Sequence, residues 1–307
     1  MSALRIGTRG SALALWQART VASQLEARGV ATEIVVYSTS GDRLQTAPLT
    51  EAGGKGLFVK ELEDALLAGA VDLAVHSAKD MSVTLPEGLT IAAVLPREDP
   101  RDAIVLPGPP APADLEFITS ALGTTPSFGT GSVRRSAQLR AIWPKARFGL
   151  VRGNVDTRLR KLDAGEFDAL VLAAAGLIRL GQERRITLAL DLASCVPAPC
   201  QGIVAIETRM DGRDAVGTLN DPRADASFRA ERALIAALGG GCQMPLGAIA
   251  THHGDALQMQ AIVVSPDGAR RVRAAGGGDP ARPEELGQRL AGELARDGAI
   301  AILDEVR

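Results

Sequence analysis

Cys242 is the residue whose setting most clearly indicates chemistry. It lies in residues 239–245, GGGCQMP, directly after a strongly helical segment. Structural cysteines are usually buried among branched apolar side chains, whereas glycines have no Cβ and leave open space around a neighbouring sulfur. The segment therefore favours a thiol that carries a bulky group. It is equally compatible with an incidental cysteine in a loop that follows a helix.

Arginines recur where predicted strands end, each with small polar or glycine neighbours. A guanidinium binds a carboxylate or phosphate through paired hydrogen bonds, and a helix N-terminus adds backbone N–H donors for anions. The pattern predicts a ligand with several carboxylates or phosphates, although any single arginine could equally be an exposed surface charge. The arginines are Arg9, Arg134, Arg135, Arg152, Arg158 and Arg179, and their polar neighbours include Ser11, Thr130 and Ser132.

An acid follows the third predicted strand, where residues 76–80 read HSAKD. Asp80 stands beside Lys79, and a carboxylate among cations is expected to stay ionised. Such a group could stabilise a developing positive charge, which arginines cannot do. A surface Lys-Asp pair is the alternative.

Motifs for metals and nucleotides are weak in this sequence. His76 is isolated, His252 and His253 are predicted to lie in a loop, and no Cys/His set has the spacing of metal ligands. Residues 53–56 lack the spacing of a phosphate-binding loop, and residues 129–131 lack the third glycine of a dinucleotide fingerprint. We therefore predict no metal.

Composition restricts the class of protein. The 307 residues carry a net charge of −2, so no overall basic field favours nucleic acid or membrane surfaces. The cysteines Cys195, Cys200 and Cys242 form an odd, sparse set, which indicates a reducing compartment. We find no apolar run of membrane-spanning length and no signal-peptide pattern, and we expect a cytoplasmic protein.

Strands and helices alternate along the chain, which predicts a largely parallel sheet. Strands are expected near residues 4–7, 32–37, 72–76 and 89–95, with helices between them. The same order then recurs, because residues 128–137 echo residues 6–12 and residues 166–172 echo residues 69–75. Two similar α/β lobes are the simplest explanation.

The rest of the chain predicts two crossings between these lobes and a third domain. Residues 96–101 form the first crossing, and a strand at 203–207 returns to the first lobe. A helix at 224–238, a hairpin with its turn at 265–268 and a final helix from Pro283 then build a small α+β domain. The predicted boundaries are 1–96 with 198–217 for domain 1, 101–193 for domain 2 and 221–307 for domain 3.

Together these segments resemble the porphobilinogen deaminase (hydroxymethylbilane synthase) family over nearly the whole chain. The similar segments are residues 5–18 (RIGTRGSALALWQA), 53–58 (GGKGLF), 76–80 (HSAKD), 97–102 (REDPRD), 152–158 (RGNVDTR), 175–177 (AGL), 201–202 (QG) and 240–243 (GGCQ). The resemblance implies two lobes like those of periplasmic binding proteins. It also implies a transferase of tetrapyrrole and heme biosynthesis that acts as a monomer.

The resemblance assigns a role to most of the candidate residues. Cys242 would hold a dipyrromethane cofactor through a thioether, and four porphobilinogens would be deaminated, added head to tail and released by water as hydroxymethylbilane. Asp80 would stabilise the cationic methylene-pyrrole species. The arginines, with Ser11, Lys79, Thr130 and Ser132, would bind acetate and propionate groups. Residues 40–56 would form a flap, with Lys55 and Phe58 at its C-terminal side.

The sequence departs from the family pattern at a few positions. Gly131 replaces a Ser or Thr, residues 81–82 (Met-Ser) replace Val-Pro, and Cys200 replaces a Gly. These changes leave the anion contacts near residue 131 and the packing near residue 200 less certain.

Two other classes of protein are compatible with part of the pattern. A carboxylate-binding protein without activity would explain the arginines, but it would need neither Asp80 nor a glycine-flanked thiol. A nucleic-acid-binding protein would use the arginines on phosphates, yet aromatic residues make up only 3% of the chain and leave little for base stacking.

Overall fold

A computed structural model describes residues 3–38, 59–108, 113–240 and 244–306. The chain divides into two compact units, one of residues 1–98 with 202–226 and one of residues 99–201 with 227–307. Among the described residues, no helix is both long and apolar enough to cross a membrane.

Thirteen strands and ten helices are numbered here in chain order within the described part. The strands are β1 (Leu4–Arg9), β2 (Thr32–Tyr37), β3 (Leu73–Ser77), β4 (Leu89–Val94), β5 (Asp102–Val105), β6 (Ser127–Gly129), β7 (Arg147–Gly149), β8 (Ala169–Ala173), β9 (Leu188–Ala189), β10 (Val204–Arg209), β11 (Leu246–His253), β12 (Ala256–Val264) and β13 (Arg271–Gly278). The helices are α1 (Ala12–Glu26), α2 (Lys60–Leu67), α3 (Leu115–Leu122), α4 (Val133–Leu139), α5 (Val155–Asp163), α6 (Ala174–Arg179), α7 (Arg213–Val216), α8 (Pro222–Ala237), α9 (Pro283–Arg296) and α10 (Ala299–Asp304).

The first unit is built on a five-stranded sheet with the order β2-β1-β3-β10-β4. Strand β1 runs parallel to β2 and β3, whereas β10 runs antiparallel to β3 and β4. Helix α1 covers one face with Val21 and Leu25, and α2 covers the other with Leu62 and Leu66. Because both faces are covered, β3 is buried almost throughout.

The second unit contains a sheet with the corresponding order, β7-β6-β8-β5-β9. Strands β6, β7 and β8 are parallel, and β5 lies antiparallel to β8 and β9. Phe128 and Trp143 fill the core on one face, with ring centroids 4.9 Å apart. The predicted duplication of an α/β lobe is therefore confirmed. Each sheet also contains one antiparallel strand, β10 in the first and β5 in the second, which was not predicted.

The second unit also holds a three-stranded antiparallel sheet with the order β11-β12-β13. Helices α9 and α10 pack on this sheet. The prediction of a loop at His252 and His253 is wrong, because both residues end strand β11, where they pair with Leu257 and Ala256.

The predicted fold class is thus confirmed, with two α/β lobes and a small C-terminal α+β part. The predicted domain boundaries stay a prediction.

Candidate active site

Asp80 lies at the end of a tight turn that strand β3 holds in place. The strand passes directly into a single 3₁₀ turn, Ala78–Asp80. The Ala78 N–H donates to the Ile203 carbonyl oxygen at 3.0 Å, and Ala78 itself is only 3% exposed. Asp80 is exposed. A rigid, buried strand therefore presents an accessible carboxylate at its carboxyl end, where ligands bind in parallel sheets.

A pocket opens beside this carboxylate within the first unit. Its cavity volume is about 80 Å³, so within the described residues it is a small pocket that is open to solvent. Its polar lining comes from Arg9, Ser11, Gln17, His76, Ser77 and Asp80. The structure thus brings together three of the predicted site residues, Arg9, Ser11 and Asp80.

The start of helix α1 fixes one wall of the pocket. Ser11 is the N-cap residue, and its hydroxyl accepts a hydrogen bond from the Ala14 N–H at 3.2 Å. One turn further on, the Gln17 side-chain amide donates to the Ser77 hydroxyl at 2.8 Å. This contact joins the helix to the end of β3. Gln17 was not predicted as a site residue. A polar residue on the otherwise apolar, buried face of a helix could have indicated it.

His76 lines the pocket and lies against a buried acid. Its Nε2 atom lies 3.0 Å from Oε2 of Glu207 on strand β10. Both side chains are buried, with exposed fractions of 5% for His76 and 0% for Glu207. The sequence analysis treated His76 only as an unlikely metal ligand and did not single out Glu207.

In the second unit, Arg134 and Arg135 both bind the carboxylate of Asp102. Arg134 Nη1 and Nη2 lie 2.6 and 3.2 Å from the two Asp102 oxygens, and Arg135 Nε lies 2.8 Å from Oδ1. The same guanidinium groups also donate to the carbonyl oxygens of Val196 and Val171. In the described structure, protein groups therefore accept many of the hydrogen bonds that these two guanidinium groups can donate. Their predicted role in binding ligand carboxylates stays a prediction.

Asp102 is fully buried, and its surroundings decide its charge. Burial by itself would favour the neutral acid, but the charges of Arg134 and Arg135 and several hydrogen bonds outweigh it and hold the pKa of Asp102 well below its usual range. The Gln201 amide donates to Asp102 at 3.0 Å. Burial and the neighbouring Asp102 charge raise the pKa of Cys195 to about 12. This thiol is therefore inert at neutral pH.

The other predicted residues of the second unit lie near the starts and ends of its helices. Thr130 is buried, and its hydroxyl accepts from the Ser132 N–H at 3.2 Å. Ser132 caps α4 by accepting from the Arg135 N–H. Arg158 donates from Nε to the Gly153 carbonyl oxygen at 2.8 Å. Arg152 lies in the loop before α5, and Arg179 is the last residue of α6.

The described part of the chain reaches the start of the glycine run that precedes Cys242. Helix α8 ends at Ala237, and Gly239 takes a φ of 65°, a left-handed conformation that glycine adopts without strain. The Gly240 N–H donates back to the Ile235 carbonyl oxygen at 2.9 Å. Cys242 itself, together with Lys55, Phe58 and the predicted flap at residues 40–56, lies outside the described residues.

Comparison with known proteins matches nearly all of this chain to one family. A model for the dipyromethane cofactor binding domain of porphobilinogen deaminase matches residues 4–216, and a model for the C-terminal domain of porphobilinogen deaminase matches residues 226–296. The chain belongs to the porphobilinogen deaminase family. The family predicted from the motifs is therefore confirmed.

Curated relatives named porphobilinogen deaminase agree with this assignment. The protein from Syntrophobacter fumaroxidans is 46% identical, with 99% of this chain and 97% of the relative covered. The protein from Methylobacillus flagellatus is 45% identical, with coverage of 98% and 96%, and that from Geobacter metallireducens is 44% identical, with coverage of 99% and 94%. The chain therefore corresponds to nearly the full length of these relatives.

The departures from the porphobilinogen deaminase pattern can now be located. At Gly131, a Cβ atom would lie 3.0 Å from Leu150 Cδ1, which is a close contact. Met81 is only 3% exposed, so its side chain packs inward. Cys200 has a φ of 62° and is the only described residue other than glycine with a positive φ. A glycine, as the family pattern has here, would adopt this conformation more easily.

The charges around Asp102 fit a cofactor that bears carboxylates. Two buried guanidinium groups face one buried carboxylate, so the cluster has an excess positive charge. An excess charge inside a protein favours a nearby anion. The described residues are therefore compatible with a dipyrromethane and its acidic side chains.

Proposed function

We propose that the chain condenses four porphobilinogen molecules head to tail, with loss of ammonia, and releases hydroxymethylbilane. Membership of the porphobilinogen deaminase family supports the reaction class. The observation that carries the proposal is the pocket of the first unit, in which Arg9 and Asp80 occur together. A substrate that has acidic side chains and passes through a cation needs one group of each charge.

Asp80 is the group that stabilises the cation. When ammonia leaves the substrate, positive charge spreads over the methylene carbon and the pyrrole ring. A carboxylate held by a rigid strand needs little reorganisation to stabilise that charge, which is the usual origin of large electrostatic effects in catalysis. Arg9 and Ser11 then bind and orient the acidic side chains, and Lys79 provides a further cation on the same turn.

Cys242 is the attachment point of the dipyrromethane, through a thioether. When bound, this group supplies the pyrrole carbon to which the first substrate is joined, and it stays on the enzyme. The residues that would hold its acidic side chains are Thr130, Ser132, Arg134, Arg135, Arg152, Arg158 and Arg179. We further propose that the protein acts as a cytoplasmic monomer.

Intact mass tests the attachment. The purified protein should exceed its sequence mass by one dipyrrole, and Cys242→Ser should return the mass to the sequence value. Cys200→Ala is the matched control, because it removes another cysteine and should keep the added mass. An added mass that survives in Cys242→Ser would exclude this cysteine as the attachment point.

Turnover tests the role of Asp80. Asp80→Asn should retain the dipyrrole mass and lose roughly 10²- to 10³-fold in kcat, because the amide cannot supply the negative charge. Asp255→Asn, at an exposed hairpin turn, is the control and should keep the full rate. Wild-type turnover in Asp80→Asn would remove Asp80 from the mechanism.

A further inference from the structure

A group of titratable side chains lies beneath the pocket, and the proposed roles of Asp80 and the arginines do not use it. His76 on β3, Glu207 on β10 and Glu63 on α2 belong to it. Helix α2 packs against both strands, and Glu63 is only 8% exposed. His76 is the member that also lines the pocket with Asp80.

The contact between His76 and Glu207 brings an imidazole and a carboxyl group together without a well-formed hydrogen bond. The two atoms approach to 3.0 Å, yet His76 Nε2 and both Glu207 oxygens have no hydrogen-bond partner of good geometry among the described residues. A fully buried carboxylate without hydrogen bonds is unfavourable unless a positive charge compensates it. Glu207 is therefore placed to stabilise His76 when the imidazole takes up a proton.

The charges that face His76 come from several elements. Glu207 from β10 and Glu63 from α2 lie beneath it, and Arg9 from β1 and Asp80 from the turn line the same pocket. Burial and the nearby Glu207 raise the pKa of Glu63. The buried group thus places the carboxyl group of Glu207 directly against the imidazole of His76.

The proposed reaction requires a proton acceptor in addition to Asp80. Loss of ammonia breaks the C–N bond, the electron pair stays on nitrogen, and a methylene-pyrrole cation remains. The free ring carbon of the acceptor pyrrole then forms the new C–C bond, and its own C–H bond must break. One proton is released at this carbon, and the departing ammonia takes up one proton to become ammonium. Protons therefore balance, but a group must carry the proton between the two sites.

We infer that His76 is this proton carrier and that Glu207 is the residue that positions and charges it. Imidazole is the side chain suited to accepting and returning protons near neutral pH. Asp80 is unsuited, because a protonated carboxyl group would no longer stabilise the cation. This inference rests on the proposed function, since it assigns the second half of the same reaction.

Isotope effects test the inference directly. His76→Gln should lower kcat by roughly 10²- to 10³-fold with little change in KM, in keeping with the contribution of a general base. With porphobilinogen deuterated at its free ring carbon, the variant should show a larger primary isotope effect than the wild type, because removal of that hydrogen becomes rate-limiting. Added imidazole should restore part of the rate.

Two other measurements do not depend on turnover. The dipyrrole mass of His76→Gln should equal that of the wild type. In D2O without substrate, exchange of the free ring hydrogen of the bound dipyrrole, followed by mass spectrometry, should be slower in the variant. His253→Gln, at the exposed end of β11, is the matched control and should behave as the wild type in every assay.

A second variant guards against a folding defect. His76→Gln leaves the buried Glu207 carboxyl group without its partner, whereas His76→Gln combined with Glu207→Gln removes both titratable groups and leaves side chains of similar size. If the folded, dipyrrole-loaded double variant turns over at the wild-type rate, or shows no enlarged isotope effect, the inference is wrong. Should Asp80→Asn be impaired while His76→Gln is normal, only the role of His76 fails and the proposed function stands.

Discussion

Each of the two α/β lobes buries an acid on the antiparallel strand of its sheet, but the two acids have very different surroundings. Asp102 on β5 is bound by two guanidinium groups, the Gln201 amide and the Cys195 thiol. Glu207 on β10 has His76 at 3.0 Å and lacks a hydrogen bond of good geometry among the described residues. Asp102 is therefore paired with two permanently charged guanidinium groups, whereas Glu207 lies against the imidazole ring of His76.

The pairing register between neighbouring strands explains part of this difference. Asp102 pairs with Ala173, the last residue of β8, so it lies at the carboxyl edge of its sheet, close to the start of α4. Glu207 pairs with Ala74, near the beginning of β3, so it lies deeper in its sheet and beneath the pocket. We therefore interpret Asp102 as a fixed support that holds Arg134 and Arg135 in place for their proposed ligand contacts, and the Glu207 pair as a part of the reacting site.

The largest expected effect is the loss of the Asp102 charge. Asp102→Asn leaves two buried guanidinium groups without their common anion, and breaking a buried ion pair costs about 3–5 kcal/mol. Chemical denaturation should show this drop in the free energy of unfolding. The matched control is Asp163→Asn, which breaks the more exposed pair with Arg185 and should cost less than about 1 kcal/mol.

The free energy of unfolding of Glu207→Gln tests the same comparison at the Glu207 pair. The amide has the shape of the acid and no buried charge, so the free energy of unfolding should change by less than about 1 kcal/mol. Equal losses in Asp102→Asn and Glu207→Gln would contradict the distinction between a support and a reacting pair.

Sequence reasoning predicted the lobes well because their strands are short apolar runs between turn signals, as in residues 32–37 and 204–209. It missed much of β11, whose two histidines at the C-terminal end are typical of a loop. It also missed the role of Asp102, because an acid in the run REDPRD resembles a solvated charge. Its burial depends on Arg134 and Arg135, some thirty residues away, and no local pattern encodes that contact.

The candidate site was predictable to a similar degree. Arg9, Ser11 and Asp80 meet in one pocket, as their positions at the ends of β1 and β3 suggested. The prediction that all six arginines contact the ligand did not take their burial into account. A buried arginine needs an anion from the protein as well, and here Asp102 supplies it for two of them.

The second effect concerns the geometry of the support. Arg134→Lys keeps the charge but cannot donate at once to both Asp102 oxygens and to Val196. Loss of hydrogen bonds that involve charged groups should cost about 1.5–3 kcal/mol in the free energy of unfolding. Arg185→Lys, at the exposed pair, is the control and should cost no more than about 0.5 kcal/mol. If Arg134→Lys loses no more free energy of unfolding than Arg185→Lys, then charge alone holds the cluster together.

A smaller effect is expected at Cys200, beside the Asp102 cluster. Its φ of 62° disfavours any residue with a Cβ, and its thiol lies 3.9 Å from the Phe228 carbonyl oxygen. Cys200→Gly should therefore be more stable than Cys200→Ala by about 1 kcal/mol in thermal or chemical unfolding. The two variants lose the same sulfur, so their difference reports the backbone conformation. Equal stability would show that residue 200 is not strained.

The smallest expected effect separates the two lobes by the sign of their response to pH. Burial and Glu207 raise the pKa of Glu63, so its contribution to stability is complete below the pKa of the unfolded chain and is lost as the pH rises through the folded value. Asp102, whose pKa is lowered, contributes in the opposite sense, because its contribution is complete above the pKa of the unfolded chain and is lost as the pH falls through the folded value. Relative to the wild type, Glu63→Gln should therefore become more stable as the pH rises from about 5 to 8, by less than about 1 kcal/mol, since only part of this side chain's interaction changes. The loss in Asp102→Asn should stay constant over the same range. Denaturation curves at both pH values check both variants, and a stability difference for Glu63→Gln that does not vary with pH would show that the pKa of Glu63 is not raised in the folded protein.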